Sequence, residues 1–131
     1  ENLCCIMIDI DFFKKVNDSH GHDMSDTVLQ NFANLLTSSF NENEIVARIG
    51  GEEFCVLSEN AQKDAIIEKV ETFRQLVEST PVASLEGGRP LSVTASLGLC
   101  MSIGESLDTM LKTADEKLYE AKERGRNCVI F

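Results

Sequence analysis

The sequence is poor in positive charge, and it contains two prolines, one tyrosine and no tryptophan. Its 12 lysines and arginines stand against 22 aspartates and glutamates, which gives a net charge of -10 at pH 7. Because an acidic surface repels a phosphate backbone, we expect no nucleic-acid partner. A small anionic ligand is still compatible with this charge, provided that metal ions or a few well-placed cations receive it.

Long apolar runs and paired cysteine motifs are also missing. No run approaches the ~20 apolar residues that span a bilayer, and no signal peptide is visible. The cysteines are Cys4, Cys5, Cys55, Cys100 and Cys128. An odd number without CxxC spacing argues against a disulfide framework and against a zinc site. We expect buried cysteines in a reducing compartment, and hence a cytoplasmic location.

The hydrophobic pattern predicts a single α+β domain over residues 1–131, because a chain of this length forms one core and not two. Continuous apolar runs predict strands, and apolar residues at helical spacing predict helices from Asp26 to Phe40, over 61–79 and over 106–124. A short helix is also expected between the first strand and Asp26. The predicted order is β, α, α, β, β, α, β, α, β. It indicates an α+β sheet layered by helices.

Two adjacent acids, Glu52 and Glu53, follow two glycines in RIGGEEFCVL, residues 48–57. The double glycine between apolar runs predicts a hairpin with a two-residue turn. Asp9 and Asp11 end the first predicted strand, so three or four carboxylates would converge if that strand lay beside the hairpin. Converging carboxylates must protonate or bind a cation, and hard oxygen ligands suit Mg²⁺ or Mn²⁺. Alternatively, the acids are solvated turn residues.

Four motifs in this order resemble the GGDEF domain of bacterial diguanylate cyclases: IDIDFFKKVND, GHDMSD, RIGGEEF and ADEKLYEAKERGRN. The resemblance covers essentially the whole chain, with GGEEF in place of GGDEF. It implies a fold like that of nucleotide cyclases and polymerase palms, with a central, mostly antiparallel five-stranded sheet flanked by helices. It also implies the condensation of two GTP molecules into cyclic di-GMP and two pyrophosphates, which needs a second copy of the domain facing the first.

The resemblance further implies a site for two Mg²⁺ or Mn²⁺ ions. Asp9 would coordinate them through its side chain and Ile10 through its backbone carbonyl. Glu52 and Glu53 would act as metal ligand and general base, and which residue takes which role is left open. The ions would lower the pKa of the attacking 3′-hydroxyl and neutralise charge on the leaving pyrophosphate.

Several matched positions would contact the nucleoside and the approaching substrate. Asn17 and Asp26 match the guanine-reading positions, since a carboxylate accepts from guanine N1–H and N2–H. Asp26 could instead be a helix first-turn acid. His22 matches a substrate contact, although a surface histidine there is unremarkable. Gly50 and Gly51 have no side chains and would let the substrate approach the backbone.

The phosphates would be received by cations and by a helix start. Phe12 and Phe13 open a segment whose backbone N–H groups can bind phosphate, and both rings are expected to pack. Lys14 would add positive charge near the reacting phosphate and is assigned to catalysis. Lys122 and Arg126 would clamp phosphates, with complementation of a helix C-terminus as the alternative.

The chain departs from the family pattern in three places. Ser25 stands where the family usually has glycine. The family's preceding helix and its Asp-x-Leu-Thr-x-Leu-x-Asn-Arg segment are absent, so we expect an upstream sensor or receiver domain that this chain does not contain. The product-binding Arg-x-x-Asp motif would fall on residues 41–44, which read NENE. We therefore expect no tight cyclic di-GMP binding there.

Two other functions were weighed against the cyclase. The first is a catalytically silent module that binds GTP or cyclic di-GMP. Such domains normally lose the hairpin acids or the metal aspartate, which this chain keeps. The second is a polymerase-like or adenylyl cyclase-like enzyme, which Asn17 and Asp26 disfavour.

Overall fold

The computed structural model describes residues 3–40, 44–59, 61–83, 87–102 and 105–131. In chain order the elements are β1 (Leu3–Ile10), α1 (Phe13–Ser39), β2 (Glu44–Arg48), β3 (Glu53–Glu59), α2 (Lys63–Ser79), β4 (Ala95–Ser102), α3 (Leu107–Glu123) and β5 (Val129–Ile130). The order agrees with the predicted one, with the first two predicted helices joined in α1. Within the described ranges, no helix is both long and apolar enough to cross a bilayer.

The five strands form one sheet in the order β2-β3-β1-β4-β5. All neighbouring pairs are antiparallel except β4 and β5, which are parallel. The predicted mostly antiparallel five-stranded sheet is therefore confirmed. Its middle strand is β1, and this position explains the continuous apolar run LCCIMI, because a central strand covered on both faces has no solvent side.

The two faces of β1 contribute to different cores. Ile6 and Ile8 lie in the larger core with side chains of α1 and α2. Cys5 and Met7 lie in a smaller core under α3. Four of the cysteines are buried and Cys128 is partly buried, and all five thiols are free. The expectation of buried, unpaired cysteines is thus confirmed for these four, and burial raises the pKa of Cys4 to about 12.

Helix α1 contains a kink, and the sequence pattern predicted a helix boundary at a different residue. The predicted boundary at Asp26 is wrong, because helix runs on both sides of it and the non-helical residue is Gly21. Gly21 has φ 85° and ψ 173°, a conformation that costs glycine little because it has no Cβ. The GHDMSD segment, residues 21–26, therefore belongs to the second part of α1 and not to a loop.

The hairpin of β2 and β3 is present, but its turn is longer than predicted. The strands end at Arg48 and begin again at Glu53, so residues 49–52 connect them. The Arg48 side chain donates to the carbonyls of Gly50 and Gly51 at 3.1 and 2.8 Å. These two bonds satisfy backbone carbonyls of the wider turn.

Helix α3 lies unusually close to the sheet at Gly98 of β4. A Cβ atom on Gly98 would lie 2.2 Å from the Leu118 backbone nitrogen and 2.3 Å from the Ala114 carbonyl oxygen. Only a residue without a side chain fits between the strand and the helix backbone. This contact sets the height of α3 over the sheet, and with it the position of the residues at the C-terminal end of that helix.

We expect Gly98→Ala to destabilise the protein by about 3 kcal/mol or more, since backbone atoms cannot move aside as flexible side chains do. Urea unfolding of the purified domain measures this loss. Gly51→Ala is the matched control, because an added Cβ there has no atom within 4 Å. Equal stability of the two variants would show that α3 does not depend on this close approach.

Candidate active site

β1 and the β2–β3 hairpin bring three of the predicted acids, Asp9, Glu52 and Glu53, to the same end of the sheet. Asp9 is the partner of Glu53 in the β1–β3 ladder. The Ile10 backbone N–H donates to the Glu52 carbonyl at 3.2 Å, so the hairpin turn is attached to the end of β1. The first strand therefore lies beside the hairpin, an arrangement that the sequence left open.

Asp9 is buried, with 4% of its surface exposed. Its Oδ2 forms an ion pair with the Lys122 ammonium group of α3. Its Oδ1 is buried and has no hydrogen-bond partner among the described residues. Burial raises the pKa of Asp9, and the Lys122 charge opposes that shift. A buried, unpaired carboxylate oxygen is unfavourable unless a donor or a cation reaches it.

Glu53 lies opposite Asp9 in the β1–β3 ladder, and the Asp9 carboxylate shifts the pKa of Glu53. Burial raises the pKa of Glu53, and the negative charge of Asp9 raises it further. Both effects disfavour a second negative charge at this end of the sheet unless a cation compensates it. The oxygen-rich pair of Asp9 and Glu53, with one unpaired buried oxygen, therefore fits a hard divalent ion such as Mg²⁺.

The predicted convergence of three or four carboxylates is not found. Within the described residues, no three His, Cys, Asp or Glu side chains lie close enough together to hold a metal ion. Asp9 is engaged by Lys122. Asp11 lies past the end of the strand and accepts hydrogen bonds from Thr94 and Ser96, at 2.7 and 2.6 Å. Asp11 is therefore a structural acid whose oxygens are satisfied by the protein.

An open cleft of about 460 Å³ adjoins Asp9. Most of the residues predicted to handle metal and phosphate line it, namely Asp9, Ile10, Phe12, Phe13, Lys14, Glu52, Lys122 and Arg126. Lys15 and Asp18 also line it, and the sequence analysis did not single them out. Asp18 is four residues after Lys14, so both lie on one face of the helix start and this spacing could have suggested Asp18, whereas no such spacing points to Lys15.

The two phenylalanines after Asp11 have different environments. Phe13 packs against the larger core, as expected. Phe12 does not, since its side chain is 59% exposed. Its backbone is left-handed, with φ 56°, and its ring lies under the Arg126 guanidinium at 4.8 Å from the ring centroid. Phe12 therefore contacts a predicted phosphate-binding cation through a cation–π interaction.

The residues predicted to read the base flank the kink in α1. Asn17 precedes Gly21, and His22 and Asp26 follow it with exposed side chains. Ser25 is buried in the first turn after the kink, and its hydroxyl oxygen lies 3.1 Å from both the Asn17 side-chain carbonyl and the Gly21 carbonyl. Ser25 thus contacts one of the predicted base-reading side chains.

These base-reading residues and the hairpin glycines are not among the described residues that line the 460 Å³ cleft. The described arrangement therefore groups the acids with the phosphate-binding cations and leaves Asn17, His22 and Asp26 on a separate part of α1. At Gly51 an added Cβ would have no protein atom within 4 Å, so there is open space beside the hairpin.

The chain is thus an α+β domain with a mostly antiparallel five-stranded sheet, whose central strand ends in a buried acid beside lysines of α1 and α3 and an arginine of the turn after α3. The chain belongs to the GGDEF family: the family model "Diguanylate cyclase, GGDEF domain" matches residues 1–128.

Similar proteins agree with this assignment. The chain is 40% identical to the response regulator PleD of Caulobacter vibrioides, over 98% of this chain and 29% of that protein. It is 38% identical to diguanylate cyclase A of Treponema denticola, over 98% of this chain and 35% of that protein. The GGDEF domain of DgcB from Caulobacter crescentus, solved in complex with c-di-GMP, superimposes with a TM-score of 0.94 at 30% identity, covering 98% of this chain and 77% of that one.

We expect Lys122→Met to destabilise the metal-free protein by about 1–3 kcal/mol, because it removes the ion-pair partner of the buried Asp9 carboxylate. Urea unfolding at neutral pH without divalent cations measures the loss. Lys112→Met, which removes an exposed lysine from the same helix, is the control. Asp9→Asn added to Lys122→Met should recover much of the stability. No recovery would mean that the lysine acts through something other than this charge.

Proposed function

We propose that this domain is a diguanylate cyclase that condenses two GTP molecules into cyclic di-GMP and releases two pyrophosphates. The observation that carries the proposal is the buried Asp9 carboxylate, with one oxygen unpaired, at the head of a cleft lined by Lys122 and Arg126. Membership of the family and the names of the relatives support it. The chain spans 29% of PleD and 35% of diguanylate cyclase A. We therefore also propose, and do not take as given, that a longer protein containing this domain has the same activity.

The cofactor we propose is Mg²⁺ or Mn²⁺, two ions per active site. Asp9, the Ile10 carbonyl, Glu52 and Glu53 would hold them, and the two glutamates would share the roles of metal ligand and general base. When bound, the ions supply charge neutralisation for the pyrophosphate and lower the pKa of the 3′-hydroxyl. The chain's own part is to hold these acids at two adjoining strand ends.

Phosphate binding falls to the cations of the cleft. Lys122 and Arg126 receive phosphate oxygens, and Arg126 offers a planar fork of donors that the Phe12 ring orients from below. Lys14 is exposed at the start of α1 and adds positive charge near the reacting phosphate. On a chain of net charge -10, these local cations are what makes an anionic substrate acceptable.

Guanine recognition is proposed for Asn17 and Asp26, with His22 as a further substrate contact and Gly50 and Gly51 leaving room beside the hairpin. The Ser25 hydroxyl can donate to the Asn17 carbonyl oxygen. That bond would orient the amide and leave its N–H₂ group to donate to the base. The Asp26 carboxylate accepts hydrogen bonds from guanine N1–H and N2–H. Adenine has no donors at these two positions.

Catalysis is proposed to need a second copy of the domain, since each copy presents one GTP. We also propose a cytoplasmic location and control by a sensor or receiver domain that this chain does not contain. The expected lack of product binding at residues 41–44 stays a prediction, because residues 41–43 lie outside the described ranges.

Product analysis tests the proposal directly. The purified domain is incubated at high protein concentration with Mg²⁺ and either GTP or ATP, and the nucleotides are separated by chromatography. Cyclic di-GMP from GTP alone is the expected result. GTP binding without product would favour the silent regulatory module, and a cyclic product from ATP would favour an adenylyl cyclase-like enzyme.

We expect Glu53→Gln and Asp9→Asn to lower cyclic di-GMP formation by about 100-fold or more, because each removes a carboxylate required at the reacting atoms. Both variants should stay folded in thermal unfolding. Calorimetric titration with Mn²⁺ alone gives a second readout, in which both variants bind more weakly than the wild type. Glu116→Gln, an exposed acid on α3, is the control for both measurements. Unchanged Mn²⁺ binding in the two site variants would remove the metal assignment.

Asp26→Ala should weaken GTP binding by about tenfold and leave ATP binding unchanged, since a charged acceptor for the guanine edge is lost. Competition binding with both nucleotides measures the two affinities. Asp23→Ala makes the same charge change at an exposed position of α1 three residues earlier and should affect neither. Equal losses in the two variants would mean that Asp26 acts only through its charge.

A further inference from the structure

The turn after α3 has a backbone conformation that its sequence does not favour. Gly125, Arg126 and Asn127 have φ values of 110°, 67° and 48°, so three consecutive residues are left-handed. Glycine takes this conformation readily, but Arg126 and Asn127 do so at a cost in free energy. Other contacts must therefore hold the turn, and these contacts also decide where the Arg126 side chain can point.

One anchor of the turn is Asp11. The Asn127 backbone N–H donates to Asp11 Oδ2 at 3.0 Å, and Arg126 Nη1 lies 3.9 Å from Asp11 Oδ1. Asp11 is itself fixed, because the Thr94 and Ser96 hydroxyls donate to its two oxygens. This anchor attaches the turn to the end of the central strand.

The second anchor comes from α2, through Arg74. Its Nη1 donates to the Asn127 side-chain carbonyl at 2.8 Å, and the Asn127 amide donates to Glu78 Oε2 at 2.8 Å. Arg74 is held in turn by two hydrogen bonds to Glu71, at 2.7 and 2.6 Å. Its side chain is 14% exposed, and Arg74 is not among the described residues that line the cleft.

We propose that Arg74 is a positioning residue for Arg126. By fixing Asn127 from the α2 side, it keeps the left-handed turn in place, so that the Arg126 guanidinium stays over the Phe12 ring and faces the cleft. The ligand concerned is the triphosphate of a nucleoside triphosphate. This inference rests on the proposed function, because it takes Arg126 as a phosphate-binding cation. A positioned fork binds phosphate better than a mobile one, since less rotamer freedom is lost on binding.

The test uses calorimetry to measure how tightly the domain binds guanosine 5′-[α,β-methylene]triphosphate in the presence of Mg²⁺. This nucleotide cannot transfer its nucleotidyl group. We expect Arg74→Gln to weaken binding by about threefold to tenfold. Asn127→Gly keeps the left-handed backbone and the N–H donor to Asp11 but removes the link to α2, so it should show the same loss. Arg124→Gln removes an equal charge from the residue before the turn, where Arg124 is 66% exposed and pairs with Glu120, and should leave binding unchanged.

A double-mutant cycle separates positioning from general destabilisation. If Arg74 acts through Arg126, Arg74→Gln adds no further loss once Arg126→Gln is present. Additive losses, or full affinity in both Arg74→Gln and Asn127→Gly, would overturn the positioning role and leave the proposed function standing. No effect of Arg126→Gln on binding would remove the phosphate clamp and this inference with it. Absence of binding by the wild type would instead remove the proposed function itself.

Discussion

Asp9 lies at the end of the central strand with 4% of its surface exposed, and Lys122 holds one of its two oxygens. Burial of a carboxylate is costly, and here a single lysine from the helix above offsets it. The remaining oxygen is buried and has no partner among the described residues. This arrangement ties the sheet to α3 and at the same time leaves a buried acceptor without a donor in a residue that lines the cleft, so stability and the proposed ligand binding depend on the same few atoms.

The geometry around that carboxylate depends on how closely α3 approaches the sheet. Gly98 allows the helix backbone to lie against β4, and the C-terminal end of α3 then delivers Lys122 and the turn with Arg126 to the cleft. If α3 lay farther from the sheet, the lysine would be farther from Asp9. The packing of one small residue in the sheet therefore controls charge placement some distance along the helix.

Unusual backbone conformations concentrate at the cleft. Phe12, Arg126 and Asn127 are the non-glycine residues with positive φ among those described, and the first two contact each other through a cation–π interaction. Left-handed non-glycine residues persist only where surrounding contacts determine them. For Arg126 and Asn127 those contacts include the buried Asp11, the Arg74–Asn127 link and the hydrogen bond that the Arg126 backbone N–H donates to the Ala121 carbonyl.

The order of elements and the burial of the first strand were determined by the sequence, because hydrophobic periodicity and the glycine pair act over short distances. The pairing of that strand with the hairpin joins Asp9 to Glu53, which is distant in the sequence, and only the tertiary structure decided it. The family motifs also indicated most residues that line the cleft. The tertiary structure alone decided which acid is available. Asp9 and Asp11 are two residues apart and look equivalent in sequence, yet Asp11 is satisfied by Thr94, Ser96 and Asn127, and Asp9 is not. Those hydrogen-bond donors come from more than 80 positions away, and no local pattern encodes them.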